Sequence, residues 1–157
     1  MAEIIDGPVT AKIEGPFVVF LIGMRINRLW RVDAWAPVMR AMAGMIRELE
    51  ADPDAGLLAH SGSGRTMVQY WRSFDALEAY ARAPEGRHRA AWAAFNRRVA
   101  KAGGAVGIWH ETYLVEAGAY ETIYRYMPPT GLGRAGSLVP ARGPQERARN
   151  RLGGGPQ

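Results

Sequence analysis

Cysteine is absent from the 157 residues, and that absence removes disulfides, thiolate metal sites and cysteine nucleophiles together. It agrees with a reducing cytoplasm, the expected location. Histidine is scarce too. His60, His88 and His110 share no HxxxH spacing, and no carboxylate follows any of them by three or four residues. No metal site is therefore expected. No GxSxG serine elbow occurs. Gly131-Leu132-Gly133-Arg134-Ala135-Gly136 spells GxGxxG, but it follows Pro128-Pro129 and opens no helix of a βαβ unit, so it does not read as a dinucleotide loop. The apolar run at 17–24 is far short of the roughly 20 residues of a membrane helix. The opening 1–6 stretch is acidic where a signal peptide would be basic. A soluble chain without a membrane segment is expected.

Excess positive charge is present but unevenly placed. The net charge is +5, and the stretch from Pro129 onward holds Arg134, Arg142, Arg147, Arg149 and Arg151 against Glu146. The body is thus close to neutral and offers no basic-aromatic surface for reading bases, so a nucleic-acid partner is not expected. Rich in Gly, Pro and Arg, residues 129–157 read as a flexible tail. Residues 1–16, with Gly7-Pro8 and Gly15-Pro16, read as an irregular lead-in. One domain over 17–128 remains, and a chain that is 48% hydrophobic can give it a core.

Within it, 17–26 is apolar at nearly every position, the pattern of a strand buried on both faces. Asp33 offers an N-cap oxygen and Pro37 falls in a first turn. Trp35, Val38, Met39, Met42, Ile46 and Leu49 then recur at helical spacing until Asp52-Pro53. Strands are predicted at 56–62 and 65–72 around Ser61-Gly62-Ser63-Gly64. Ser73 caps a helical segment carrying Phe74, Leu77 and Tyr80, which Pro84 and Gly86 interrupt. Helicity resumes with His88, Trp92, Phe95 and Val99 and ends at Gly103-Gly104. Strands at 105–116 and 120–127 complete a β-α-β-β-α-β-β order. That is an α+β, ferredoxin-like βαββαβ(β) arrangement, an antiparallel sheet with both helices on one face. With nothing else in the chain to cover the other face, a homodimer is expected.

The strand 107–115 carries His110 and Glu111 among aromatic and β-branched residues. Alternation puts Ile108, His110, Thr112 and Leu114 on one face and Trp109, Glu111, Tyr113 and Val115 on the other. The two groups cannot form a side-by-side dyad. His110, among Ile, Thr and Leu, is the candidate for proton transfer, since imidazole changes charge near neutral pH. Glu111 reads as a structural anchor, bonded to an arginine such as Arg25 or to a partner chain. His88 shares its helix stripe with Trp92 and Phe95 and points inward, toward core or pocket; Asn96 beside them holds a polar group or sits on the flank. Gln69, Tyr70 and Trp71 form a similar mixed aromatic-polar strand end.

The blocks GMRINRLW (23–30), QYWRSFDALEAYAR (69–82), HRAAWAAFNRRV (88–99) and GIWHETYLVEAGAYETIYRYMPPTGL (107–132) cover roughly residues 15–135. They resemble a family of small bacterial monooxygenase-like proteins grouped with a fungal fumagillin-pathway oxygenase. The family lies within the antibiotic-biosynthesis-monooxygenase superfamily of dimeric α/β barrels. The resemblance implies a cofactor-independent monooxygenase that takes a small lipophilic or polyketide-like substrate and O₂ in a pocket between sheet and helices. On that reading His110 is the base or donor, Arg25 or Asn96 the oxyanion donor, and Trp71, Trp92 and Phe95 the wall, with His88 nearby. The superfamily also implies an alternative, a haem-binding or haem-degrading protein with His88 on the iron and Tyr80 in an aromatic position. A third reading is a non-catalytic small-molecule binder on the same scaffold.

Overall fold

The computed structural model describes residues 3–63, 65–82 and 87–152, with every side chain among them except those of 63 and 87–92. In chain order the elements are β1 (Ile5–Lys12), β2 (Phe17–Ile26), α1 (Val32–Glu50), β3 (Leu57–Ser63), β4 (Thr66–Trp71), α2 (Phe74–Arg82), α3 (Arg87–Lys101), β5 (Val106–Val115), β6 (Tyr124–Met127), β7 (Ser137–Pro140) and the single turn α4 (Ala148–Arg151). Strands β3-β4-β2-β5 form one antiparallel sheet in that order. With α1, α2 and α3 on one face, this is the ferredoxin-like α+β fold that the element order predicted.

Alternation along β2 sets the layers. Val18, Phe20 and Ile22 turn toward the helices and pack with Trp71, Ile46, Leu49, Leu77 and Tyr80. A second cluster joins Ala34, Val38 and Met45 of α1 to Phe95 and Val106. Complete burial of each large apolar side chain contributes roughly 1.5–3 kcal/mol, so these clusters hold α1, α2 and α3 on the sheet.

Helix ends follow local chemistry, with one difference. The Ser73 hydroxyl accepts from the Ala76 amide at 3.1 Å and caps α2. Gly103 and Gly104, at φ +54° and +76°, take the left-handed backbone that ends α3. Asp33, expected as the N-cap of α1, instead lies in its first turn, paired with Arg31 at 2.8 Å. Its carboxylate favours the helix's positive end from there. Pro37 consequently falls in the second turn, where the amide it lacks would have bonded the Asp33 carbonyl. The expected break at Pro84 and Gly86 lies outside the described residues.

Residues 5–12 and 129–152 depart from the expected lead-in and tail. The lead-in is not irregular: residues 5–12 are β1, paired antiparallel with β6 and β7 in a second, three-stranded sheet. Gly7 (φ +81°) and Pro8 fall at a register shift between Ile5 and Pro8, where a ladder tolerates both. The predicted strand at 120–127 is shortened to β6, and it joins β1 rather than the main sheet. Residues 129–152, expected as flexible, contribute β7 and end on Arg151. That side chain is only 6% exposed; it pairs with Glu121 at 2.9 Å and donates to the carbonyls of Gln145 and Glu146. Sidewall hydrogen bonds close the unit, with the Ala11 amide donating to the Thr122 hydroxyl and the Ile13 amide to the Tyr120 hydroxyl, each at 2.7 Å.

The chain thereby covers part of its own second sheet face. Ala11, Phe17 and Leu132 form a buried cluster with Val19, Tyr70, Tyr124 and Leu138 packed against it. At that end the cover expected from a second copy comes from the chain itself. Among the described residues no helix is long and apolar enough to cross a membrane.

Candidate functional site

On the helix side of the sheet lies a cavity of about 380 Å³, within the range of small-molecule sites. Its floor is Phe20 and Ile22 of β2 with Gln69 and Trp71 of β4. One wall is the α1 stripe of Met42, Met45 and Leu49. Another is α2, through Phe74, Leu77 and Tyr80, with Glu78 and Arg82 toward its end. His110 and Thr112 of β5 close the remaining side.

Register explains why polar groups reach this apolar chamber. His110 stands opposite Ile22 and Thr112 opposite Phe20, so both share the helix-facing parity of β2. β5 is the sheet edge, and its residues from Trp109 to Leu114 are exposed. His110 thus has an apolar floor on one side and solvent on the other. Its ring tilts over Phe20, with centroids 5.5 Å apart at 35°. Among the described residues neither ring nitrogen bonds to protein, which leaves both to a ligand.

Gln69 is 5% exposed and Trp71 fully buried. The Trp71 Nε1–H donates to Gln69 Oε1 at 2.9 Å, while Gln69 Nε2 has the Met67 sulfur at 3.7 Å. Tyr80 stacks obliquely on Trp71, with centroids 5.7 Å apart. Burial, with the nearby Glu48 carboxylate adding to it, pushes its phenol up to about 12. Tyr80 therefore keeps its proton throughout the neutral range, as a hydrogen-bond donor and not a base. Glu78 and Arg82 pair at 3.1 Å one helical turn apart, exposed enough to matter for charge at the chamber's edge more than for stability.

Of the residues singled out by sequence, His110 and Trp71 meet in this chamber. Phe95 does not: 1% exposed, it packs in the α1–α3 cluster beside a separate cavity of about 230 Å³ that shares Ile22 and Met42 with the first. Asn96 is exposed on α3 and lines neither cavity. Arg25 is exposed at the parity of Phe17 and Val19, away from the helices. Glu111 shares that outer face, and its partner is the Tyr113 hydroxyl on the same strand, at 2.6 Å, in place of the expected Arg25. The bond raises the Tyr113 phenol above its ordinary value. His88 and Trp92 belong to α3, but their side chains lie outside the described residues, and the haem alternative depends on the first of them. No group of three His, Asp or Glu side chains placed to hold a metal occurs among the described residues.

Sequence reasoning passed over Gln69 as a pocket donor, Thr112 and the α1 methionines. Alternation from His110 would have reached Thr112, and the helical stripe of α1 already contained Met42. For Gln69 the signal was an amide inside an otherwise apolar strand, Met67-Val68-Gln69-Tyr70-Trp71.

A sequence model of the family described as monooxygenase af470-like matches residues 17–132. A curated relative, monooxygenase af470 of Aspergillus fumigatus, is 28% identical over 160 aligned positions, which cover 85% of this chain and 56% of that protein. The chain therefore spans little more than half the relative's length. Among solved structures, the aldoxime dehydratase OxdRE, crystallised in complex with butyraldoxime, matches with a TM-score of 0.63 at 17% identity. That match covers 82% of this chain and 40% of the other, and it is a likeness of fold.

Proposed function

We propose, since this chain belongs to the monooxygenase af470-like family, that it is a cofactor-independent monooxygenase acting on a small lipophilic substrate between sheet and helices. The observation that carries the reading is His110 on the rim of a largely apolar cavity, with both nitrogens available to a ligand. His110 takes a proton from an activated C–H or O–H of the bound molecule. The anion that remains is electron-rich enough to reduce O₂ itself. At a methylene carbon the balance is R₂CH₂ + O₂ → R₂C=O + H₂O: one oxygen atom enters the product and the other leaves as water. A donor at the cavity surface stabilises the developing negative charge, and the Gln69 amide is placed for that. Phe20, Trp71 and Leu77 supply an apolar bed for the substrate.

The test is oxygen uptake by the purified chain with a panel of activated arenes such as anthrones, together with ¹⁸O₂ labelling. One labelled atom per product is expected, at a rate unchanged by EDTA and by added haemin. Ligand binding without oxygen uptake across the panel would leave the chain a binding protein. A haemin-dependent rate would return the haem reading.

The working form is a homodimer joined through the outer sheet face. Beyond the end covered by β1, β6 and β7, that face presents Trp109 and Tyr113, 40% and 51% exposed, beside half-buried Leu21 and Val68. Exposed aromatics grouped on one sheet face fit an interface core. Sedimentation is expected to give twice the chain mass, and Trp109→Glu to give the monomer. A wild-type monomer at tens of micromolar would remove the dimer. A chain with no cysteine needs no oxidising compartment to fold, which supports a cytoplasmic setting.

A further inference from the structure

Three residues stand abreast across the middle of the sheet: Gln69 on β4, Phe20 on β2 and Thr112 on β5. His110 is one same-face step further along β5, opposite Ile22. At about 4.8 Å per strand, Gln69 and Thr112 lie roughly 10 Å apart with the Phe20 ring between them. A flat molecule resting on Phe20 therefore meets an amide at one edge and the imidazole at the other.

The amide's orientation is set by chemistry. An indole N–H is a donor only, so Trp71 Nε1 requires an acceptor and must face Gln69 Oε1. The Nε2 end is thereby turned away from Trp71. Its acceptor at 3.7 Å is a thioether, one of the weakest in proteins. A 5% exposed amide on the cavity surface with donor capacity so poorly used is a site made for an oxygen.

We propose that Gln69 is the specificity-determining residue of this pocket, its Nε2 donating to a carbonyl or hydroxyl oxygen of a flat, conjugated ligand, and that Trp71 holds it in that orientation. The inference rests on the cavity being the binding site, as above, but not on the reaction that follows. Gln69 positions the oxygen-bearing edge; the opposite edge then falls toward His110. A ring compound lacking the oxygen still fits the chamber but leaves the amide without a partner.

The experiment compares 1-tetralone with tetralin, the same fused skeleton with and without the carbonyl, by titration calorimetry on the full chain. The readout is the affinity ratio of the two. This ratio is expected to fall roughly five- to tenfold from wild type to Gln69→Leu, in which the donor is removed, and similarly in Gln69→Met. Gln69→Met carries the test if loss of the Trp71 acceptor unfolds the first variant, as its thermal transition would show. Trp71→Phe, which frees the amide to turn over, is expected to lower the ratio by a smaller factor. An equal ratio in wild type and both Gln69 variants overturns the proposal while leaving the cavity as the binding site. A wild-type ratio in Trp71→Phe overturns the assigned orientation. Binding of neither compound by the wild type overturns the proposal and the pocket reading together.

Discussion

Replacing His110 by alanine is expected to lower oxygen uptake on a confirmed substrate by roughly 10²–10⁴-fold, the range over which a positioned general base acts. Affinity for the same substrate is expected to change less than about threefold, because the floor and the α1 and α2 walls supply the apolar contact. The imidazole sits on an exposed stretch of β5 beside the Phe20 ring, so its removal opens no buried void. The melting transition should stay within a degree or two. That separation of rate from binding and stability is what a proton-transfer group requires and a packing group does not. Asn96→Ala, exposed on α3 and lining neither cavity, serves as the control and should retain the rate. Unchanged turnover in His110→Ala would withdraw the base assignment.

Phe95→Ala is expected to do the opposite. Phe95 is 1% exposed and packs with Val38, Met45, Ala102 and Val106. Truncating a buried phenylalanine costs about 3–5 kcal/mol through lost transfer energy and the void left behind. A cavity of about 230 Å³ already adjoins it, so the variant's void joins an existing space rather than standing alone. The measurement is a urea midpoint at constant slope. At denaturant concentrations where the variant remains folded, ligand affinity in the main chamber should stay near that of wild type. A stable Phe95→Ala protein with affinity reduced more than tenfold would make Phe95 a pocket wall after all.

These two outcomes also mark how far the residue pattern reached. Both phenylalanine and histidine were candidate pocket residues on the same ground, an inward-facing periodicity. For His110 the alternation was sufficient, because a strand has two faces and β2 fixes which of them meets the helices. A helix stripe is less informative. Phe95 of α3 turns inward, yet it meets α1 and the start of β5 rather than the chamber over Phe20. Where along the sheet a helix lands is decided by helix-on-helix packing, which no i, i+4 spacing records. Arg25 shows the same limit on a strand. Its parity matches Phe17, and parity acquires a direction only when one set of residues is seen to face the helices.

The terminal segments were misread for another reason. Gly7-Pro8 is a turn signal in isolation, and residues 129–157 have the composition of an unfolded tail. Each is stabilised by the other, with Thr10 opposite Val139 and Val9 opposite Pro140. Pairing between segments so distant in the chain leaves no local periodicity, and β7 is only four residues long. Conversely, the apolar run at Phe17–Ile26 did encode burial on both faces, and the second sheet supplies part of the outer cover it required.

By itself the sequence determined the order of elements from β2 to β5, the parity of β5 that separates His110 from Glu111, and the blocks that carry family membership. These are properties of neighbours two, three or four residues apart, where backbone geometry alone sets direction. Tertiary structure decided what those directions point at: Gln69, Phe20 and Thr112 in one row, the Trp71 indole orienting an amide, and two terminal segments closing over one end of the sheet. Register and long-range pairing are chosen by the summed burial of distant partners, and that sum exists only once the chain has folded.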